Sequence, residues 1–268
     1  PYLTTYPPLH LGESRESLPL PEPPTDEERA TFAAVTDDPI EDKPICSAKV
    51  REAWGEAQAR GGRSETTCRD PFPYLMSNEP RSHHWNDYVE HLGGAYVGIG
   101  SDQNYSTIAA ARSRWAWVVD YDPRVVRNHR RVLALVAAAP TPDAFVALFG
   151  PGKKSEALAV LDEAFADSPD RKRMRAGFLA TRDELHAYFL NQRKPAPKAG
   201  TYGWLRHDDN YAYIRALVSQ GRLRAVAGDL LRGDGALAAI GEPAAKLKTP
   251  VRIYYTSNAP SSWGGALT

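Results

Sequence analysis

Between Gly94 and Pro123 the chain reads GAYVGIGSDQNYSTIAAARSRWAWVVDYDP: a strand, a glycine turn, a helix and a second strand in unbroken succession. Ala95, Tyr96, Val97 and Ile99 make a short apolar run of β-formers, which Gly98 and Gly100 close. Asp102 is a candidate helix N-cap, and Tyr105, Ile108, Ala109 and Arg112 recur behind it at helical spacing. WAWVVD is a second apolar run, ending abruptly on Asp120, Tyr121, Asp122 and Pro123. Parallel strands buried on both faces have this continuous apolar character, and two of them joined through a helix form a βαβ unit.

The chemistry of such a unit follows from backbone geometry. Glycine at the strand-to-helix turn lets the main chain approach a ligand closely, and the helix N-terminus offers free N–H groups there. A carboxylate at the tip of the next strand accepts both hydroxyls of a ribose. Gly98 and Asp120 are 22 positions apart, near the roughly 20 expected of dinucleotide-binding units. Gly98 and Gly100 fill the first two places of G-x-G-x-x-G, but Gln103 stands in the third. Losing that glycine argues against a pyrophosphate ligand such as NAD or FAD and leaves nucleosides without one, S-adenosylmethionine above all. The alternative is a Rossmann-like core that binds no nucleoside.

Apolar residues at 42% and aromatics at 10% suffice for a sizeable core. With 33 basic and 33 acidic residues the net charge is zero, so no global field recruits nucleic acid or anionic membrane. No apolar run reaches the length of a membrane span. Cys46 and Cys68 flank a segment without apolar periodicity, where a disulfide would staple a long loop. That bond would favour a secreted or periplasmic protein; the alternative is two unrelated thiols in the cytosol. Their spacing does not make a zinc site, and no metal is expected.

Residues 1–44 are proline-rich and read as an extended surface arm carrying one short helix capped near Thr25. Lys49 to Arg60 and about Ser82 to Leu92 read as helices. After Pro123 come amphipathic helices over about 125–191, expected as an insertion over the sheet. Arg127, Arg130 and Arg131 read there as a solvated face, and Arg171, Lys172 and Arg173 as surface. A loop leads to a helix opened by Asp208 or Asp209. RLRAVAGDL is a strand ending at Gly228 and Asp229, GALAAIGEPAAKLKT is broadly helical, and VRIYYTSNA is a final strand. The expected fold is therefore α/β: a Rossmann-like, mostly parallel sheet with helices on both faces, a helical insertion and an N-terminal arm. The arm and its helix span 1–73 and the α/β domain 74–268. Ligands of open parallel sheets bind at the strands' carboxyl ends. Here these are Gly98 to Asp102, Asp120 to Asp122, Gly228 to Leu230 and Thr256 to Asn258.

GGAYVGIGSDQNYSTIAAARSRWAWVVDYD, the SNE of 77–79, AVAGDLLRGDGALAAIG and VRIYYTSNA together resemble an uncharacterised bacterial family. Its members show GVYIGVGPEQNFTYIA-like, FIVDIRR-like, GDF-like and YxSN-like segments, and the resemblance covers roughly residues 74–260. This chain has Asp120-Tyr121-Asp122-Pro123 where the family has DIRR, so two arginines are absent. In core fold the family looks like class I S-adenosylmethionine-dependent methyltransferases. That likeness implies a glycine turn at Gly98 and Gly100, a ribose-binding acid at Asp120 or Asp122, an adenine-binding acid at Asp229 and a substrate contact at Asn258.

The function expected is that of an S-adenosylmethionine-binding protein, a methyltransferase acting on a small-molecule or peptide substrate. Glu79 or Asp229 would serve as base, with Asp102 beside the cofactor and Asn258 beside the substrate. The alternatives are a non-catalytic Rossmann-like binding or interaction protein, and a metal hydrolase using His207, Asp208 and Asp209. His83 and His84 offer a base near Glu79, or simply an exposed helix start.

Overall fold

The structure, a computed structural model, describes residues 17–44, 46–50, 52–53, 68, 73–77, 86–195, 203–257 and 259. Among them the strands β1 (Ala95–Ile99), β2 (Trp115–Asp120), β3 (Leu223–Ala227) and β4 (Val251–Tyr255) form one parallel sheet in the order β3-β2-β1-β4. Register is set residue by residue: Ala95 to Ile99 face Trp115 to Val119, and Ala116 to Asp120 face Leu223 to Ala227. The order reverses between β1 and β4, so the crevice that open parallel sheets offer to ligands lies at the end of β1.

Side chains alternate across the sheet, as the two-residue period of a strand demands. Tyr96, Ala116, Val118 and Ile253 point to one face. They meet α3 (Gln103–Ala111), α4 (Pro123–Ala138) and α8 (Asp208–Ser219), with α5 (Pro142–Phe149), α6 (Lys154–Ala164) and the 23-residue α7 (Arg171–Arg193) layered outside. The rings of Phe145, Phe149, Phe189 and Trp204 pack there at centroid separations of 5.0 to 6.1 Å. The helices of 123–193 thus cover the sheet, and a short helix α2 (Asn86–Val89) leads into β1.

Ala95, Val97, Trp115, Trp117, Val119 and Val226 point to the other face. They are covered by α1 (Asp26–Ala33), α9 (Ala236–Ala239) and α10 (Gly241–Lys246). Thr25 caps α1 in a reciprocal capping box with Glu28, and Phe32 lies 4.8 and 4.6 Å from the rings of Trp115 and Trp117. Helix α1, followed by Val35, therefore covers this face of the sheet. Cys46 and Cys68 are disulfide-bonded. Most of the helix expected over 49–60, and His83 and His84, lie outside the described residues. Among those described, no helix is long and apolar enough to cross a membrane.

Candidate functional site

At the end of β1 the chain turns through Gly100, whose φ of +91° lies in the region that favours glycine. The other turn glycine has a different reason. A Cβ on Gly98 would fall inside contact distance of Asn104 Oδ1 and the Tyr96 hydroxyl, and 2.5 Å from Tyr96 Cε1. The close approach at Gly98 is thus made by protein: Tyr96 donates to Asn104 Oδ1 at 2.6 Å directly over it. Asn104 in turn donates to Ser101 O at 2.7 Å and Ile99 O at 3.1 Å, tying α3 to the strand end.

Asp102 occupies the N-cap position of α3 but makes no capping bond with its side chain. Its carboxylate points into the helical layer, only 4% exposed, and accepts from the Tyr188 hydroxyl at 2.8 Å and Trp204 Nε1 at 3.0 Å. Burial pushes its pKa up, against the donors from Trp204, Tyr188 and backbone N–H groups. Tyr188 also accepts from Ser77 N at 3.1 Å and Gln192 Nε2 at 2.9 Å. Beneath the turn, His129 Nε2 lies 2.7 Å from Gly100 O and Nδ1 is bonded to the Tyr105 hydroxyl. A carbonyl only accepts, so Nε2 carries the proton and Tyr105 donates to Nδ1. Burial lowers the His129 pKa to about 4, holding the ring neutral.

The β2 tip keeps its acids in different roles. Asp122 caps α4, accepting from Arg124 N at 2.8 Å, and it pairs with the Arg124 guanidinium at 2.6 Å. Among the described residues no cation pairs with Asp120. One oxygen accepts from Asp122 N at 2.8 Å; burial raises its pKa to about 6, while the amides of Asp122, Gly100 and Tyr121 favour the ionised form. Asp120 stays partly open to solvent, and the Tyr121 side chain beside it is 49% exposed. A largely desolvated carboxylate next to an open aromatic ring can bind hydroxyls and a planar base. Ser257, after β4, has φ +54° and approaches the Gly100 turn.

The β3 tip is occupied by the N-terminal segment. Asp37 accepts from Ala227 N at 2.9 Å, and Asp38 from Asp229 N and Ala236 N, each at 2.9 Å. Asp229 itself accepts from Leu231 N at 3.0 Å. The structure thus brings Gly98, Gly100, Asp102, Asp120 and Asp122 to one edge, with Asp229 on the neighbouring tip behind Asp38. Glu79 and Asn258 lie outside the described residues. Asp208 opens α8 and pairs with Arg193 at 3.0 Å. Among the described residues no group of His, Cys, Asp and Glu is gathered to hold a metal.

Tyr188, Trp204, His129, Asp37 and Asp38 were not among the residues singled out from the sequence. They lie up to 198 positions from their partners, and only buried polar groups demanding partners could have signalled them. Arg127, Arg130 and Arg131 correct an expectation, since none is a freely solvated side chain. Arg127 pairs with Asp42 at 3.1 Å, Arg130 with Asp37 at 2.6 Å, and Arg131 is buried. Residues 74–264 match the family described as Domain of unknown function (DUF7790). The chain belongs to that family. A search of curated proteins finds no match.

Proposed function

We propose that this DUF7790 protein binds S-adenosylmethionine across the carboxyl ends of β1 and β2 and transfers its methyl group to a small-molecule or peptide substrate. The observation that supports this reading is Asp120: a partly open carboxylate at the β2 tip, without an ion pair among the described residues, beside the Gly100 turn and the exposed Tyr121 ring. The ribose hydroxyls would donate to Asp120 and the adenine would lie toward Tyr121. The amino-acid end would lie over the Gly100 turn, toward Ser257. Methyl transfer from a sulfonium needs alignment and exclusion of water more than an acid or base, so a turn fixed by His129 and Asn104 suits it. The Cys46–Cys68 bond suits an exported protein.

A second reading is a binding protein without the transfer reaction. The engagement of Asp102, Asn104 and His129 by the protein itself favours it. Titration calorimetry with S-adenosylhomocysteine tests the reading common to both. Asp120→Ala removes a charge-assisted, bidentate acceptor worth about 1.5–3 kcal/mol, a roughly ten- to hundredfold weakening. Absence of heat from the unaltered protein at millimolar ligand overturns it; binding without methyl transfer to any acceptor selects the second reading.

A further inference from the structure

Arg131, on α4, is 5% exposed, and its guanidinium makes one hydrogen bond, from Nη2 to Asn128 Oδ1 at 3.1 Å. Its neighbours on the helix are neutralised: Arg124 by Asp122, Arg127 by Asp42 and Arg130 by Asp37. Arg131 forms no ion pair with any described carboxylate, and the charge it feels most is the repulsive one of Arg127. A guanidinium does not shed its proton near neutral pH, and a charge withdrawn from water without a counter-ion is strongly unfavourable.

The opposing helix is shaped to admit it. Gly177 sits inside the 23-residue α7, a position where glycine weakens a helix, and a Cβ there would overlap Arg131 Nη1. Further donors remain on both residues. Asn128 turns Oδ1 to Arg131, so its Nδ2 is a further donor, and Asn128 too is 5% exposed. The described side-chain atoms both sealed from solvent and unpartnered are His91 Nδ1, Ser113 Oγ, Trp117 Nε1 and Arg215 Nε. The remaining nitrogens of Arg131 and Asn128 are not among them, so these atoms keep a narrow contact with solvent.

We propose that Arg131 and Asn128, where α4 crosses Gly177 of α7, form a binding site for a small oxyanion, a phosphate or carboxylate group. The site offers a charged guanidinium and a side-chain amide, both 5% exposed, which suits bidentate capture of such a group. It lies about 12 Å along α4 from the β2 tip, at 1.5 Å per residue, and does not depend on the reading of Asp120.

Thermal unfolding in phosphate-free buffer, followed by titration with inorganic phosphate at constant ionic strength, tests it. The unaltered protein gains about 5 °C in Tm at phosphate a hundredfold above its dissociation constant. Arg131→Met abolishes the response. Asn128→Asp places a carboxylate against Arg131, so it raises Tm without phosphate and also removes the response. The same titration with acetate separates a carboxylate site from one that requires phosphate. The proposal is overturned if phosphate leaves the unaltered protein's Tm unchanged up to tens of millimolar. It is also overturned if Arg131→Met responds as strongly as the unaltered protein. Should Arg131→Met fail to fold, Asn128→Asp decides: a lower Tm than the unaltered protein in phosphate-free buffer refutes the missing counter-anion.

Discussion

Replacing His129 with phenylalanine costs stability at neutral pH and costs less in mild acid. At pH 7.5 the substitution leaves the buried Tyr105 hydroxyl without an acceptor, at about 1–3 kcal/mol, and the part-buried Gly100 O without a donor, at less. In the folded chain burial lowers the His129 pKa from 6.5 to about 4. As pH falls through 6.5 the unfolded imidazole therefore takes up a proton that the folded one refuses. The unfolded state binds more protons, and this contribution to stability, complete above 6.5, drains away toward pH 4. Between pH 7.5 and 4.5 the loss is about 2.5 kcal/mol.

Asp120 works in the opposite sense over much of the same window. Its folded pKa is raised from 3.8 to about 6, so on acidification the folded state binds the proton first. The protein gains about 2 kcal/mol over that interval. In the unaltered protein the two nearly cancel, and each substitution exposes the other group. Relative to the unaltered protein, His129→Phe becomes less destabilised at pH 4.5, and Asp120→Asn loses stability more steeply on acidification. Urea unfolding followed by fluorescence of the six tryptophans, at the two pH values, reads both. Equal penalties for His129→Phe at pH 7.5 and 4.5 would refute the buried neutral imidazole.

Gly98→Ala forces its new methyl against Tyr96 and Asn104; we expect a loss of about 3 kcal/mol in chemical unfolding from overpacking and the broken Tyr96–Asn104 bond. Asp102→Ala strands the Tyr188 hydroxyl and Trp204 Nε1 and is expected to destabilise by about 3–5 kcal/mol. Hydrogen exchange should localise that loss to the C-terminal half of α7 and the start of α3. Reducing the Cys46–Cys68 bond, which spans 22 positions, removes about 3 kcal/mol through the unfolded state, measured as a fall in Tm on adding a thiol reductant.

The βαβ unit was legible because its signals are local. WAWVVD is continuous and apolar since β2 is buried on both faces, and its observed span is Trp115–Asp120. Gly100 marked a true turn for the same reason: its φ is a property of one residue. The partners of that turn's polar side chains were not legible because they are remote in sequence. Asp102 looks like a cap from its neighbours, yet Tyr188 and Trp204, 86 and 102 positions away, draw the carboxylate inward. Gly98 looks like room for a ligand, but a bulky residue two positions earlier fills that room. The arginines of α4 alternate with apolar residues as a solvated face would, and nothing local reveals that Asp37 and Asp42 reach across to them.

The proposed site stands or falls on what occupies the β1 and β2 tips. Crystals of the protein grown with saturating S-adenosylhomocysteine measure this most directly. The expected result is a nucleoside whose ribose hydroxyls lie within hydrogen-bond distance of Asp120, with its adenine beside Tyr121 and its amino-acid end over the Gly100 turn. A β1–β2 edge without ligand at millimolar concentration, or a nucleoside bound away from Asp120, would contradict it.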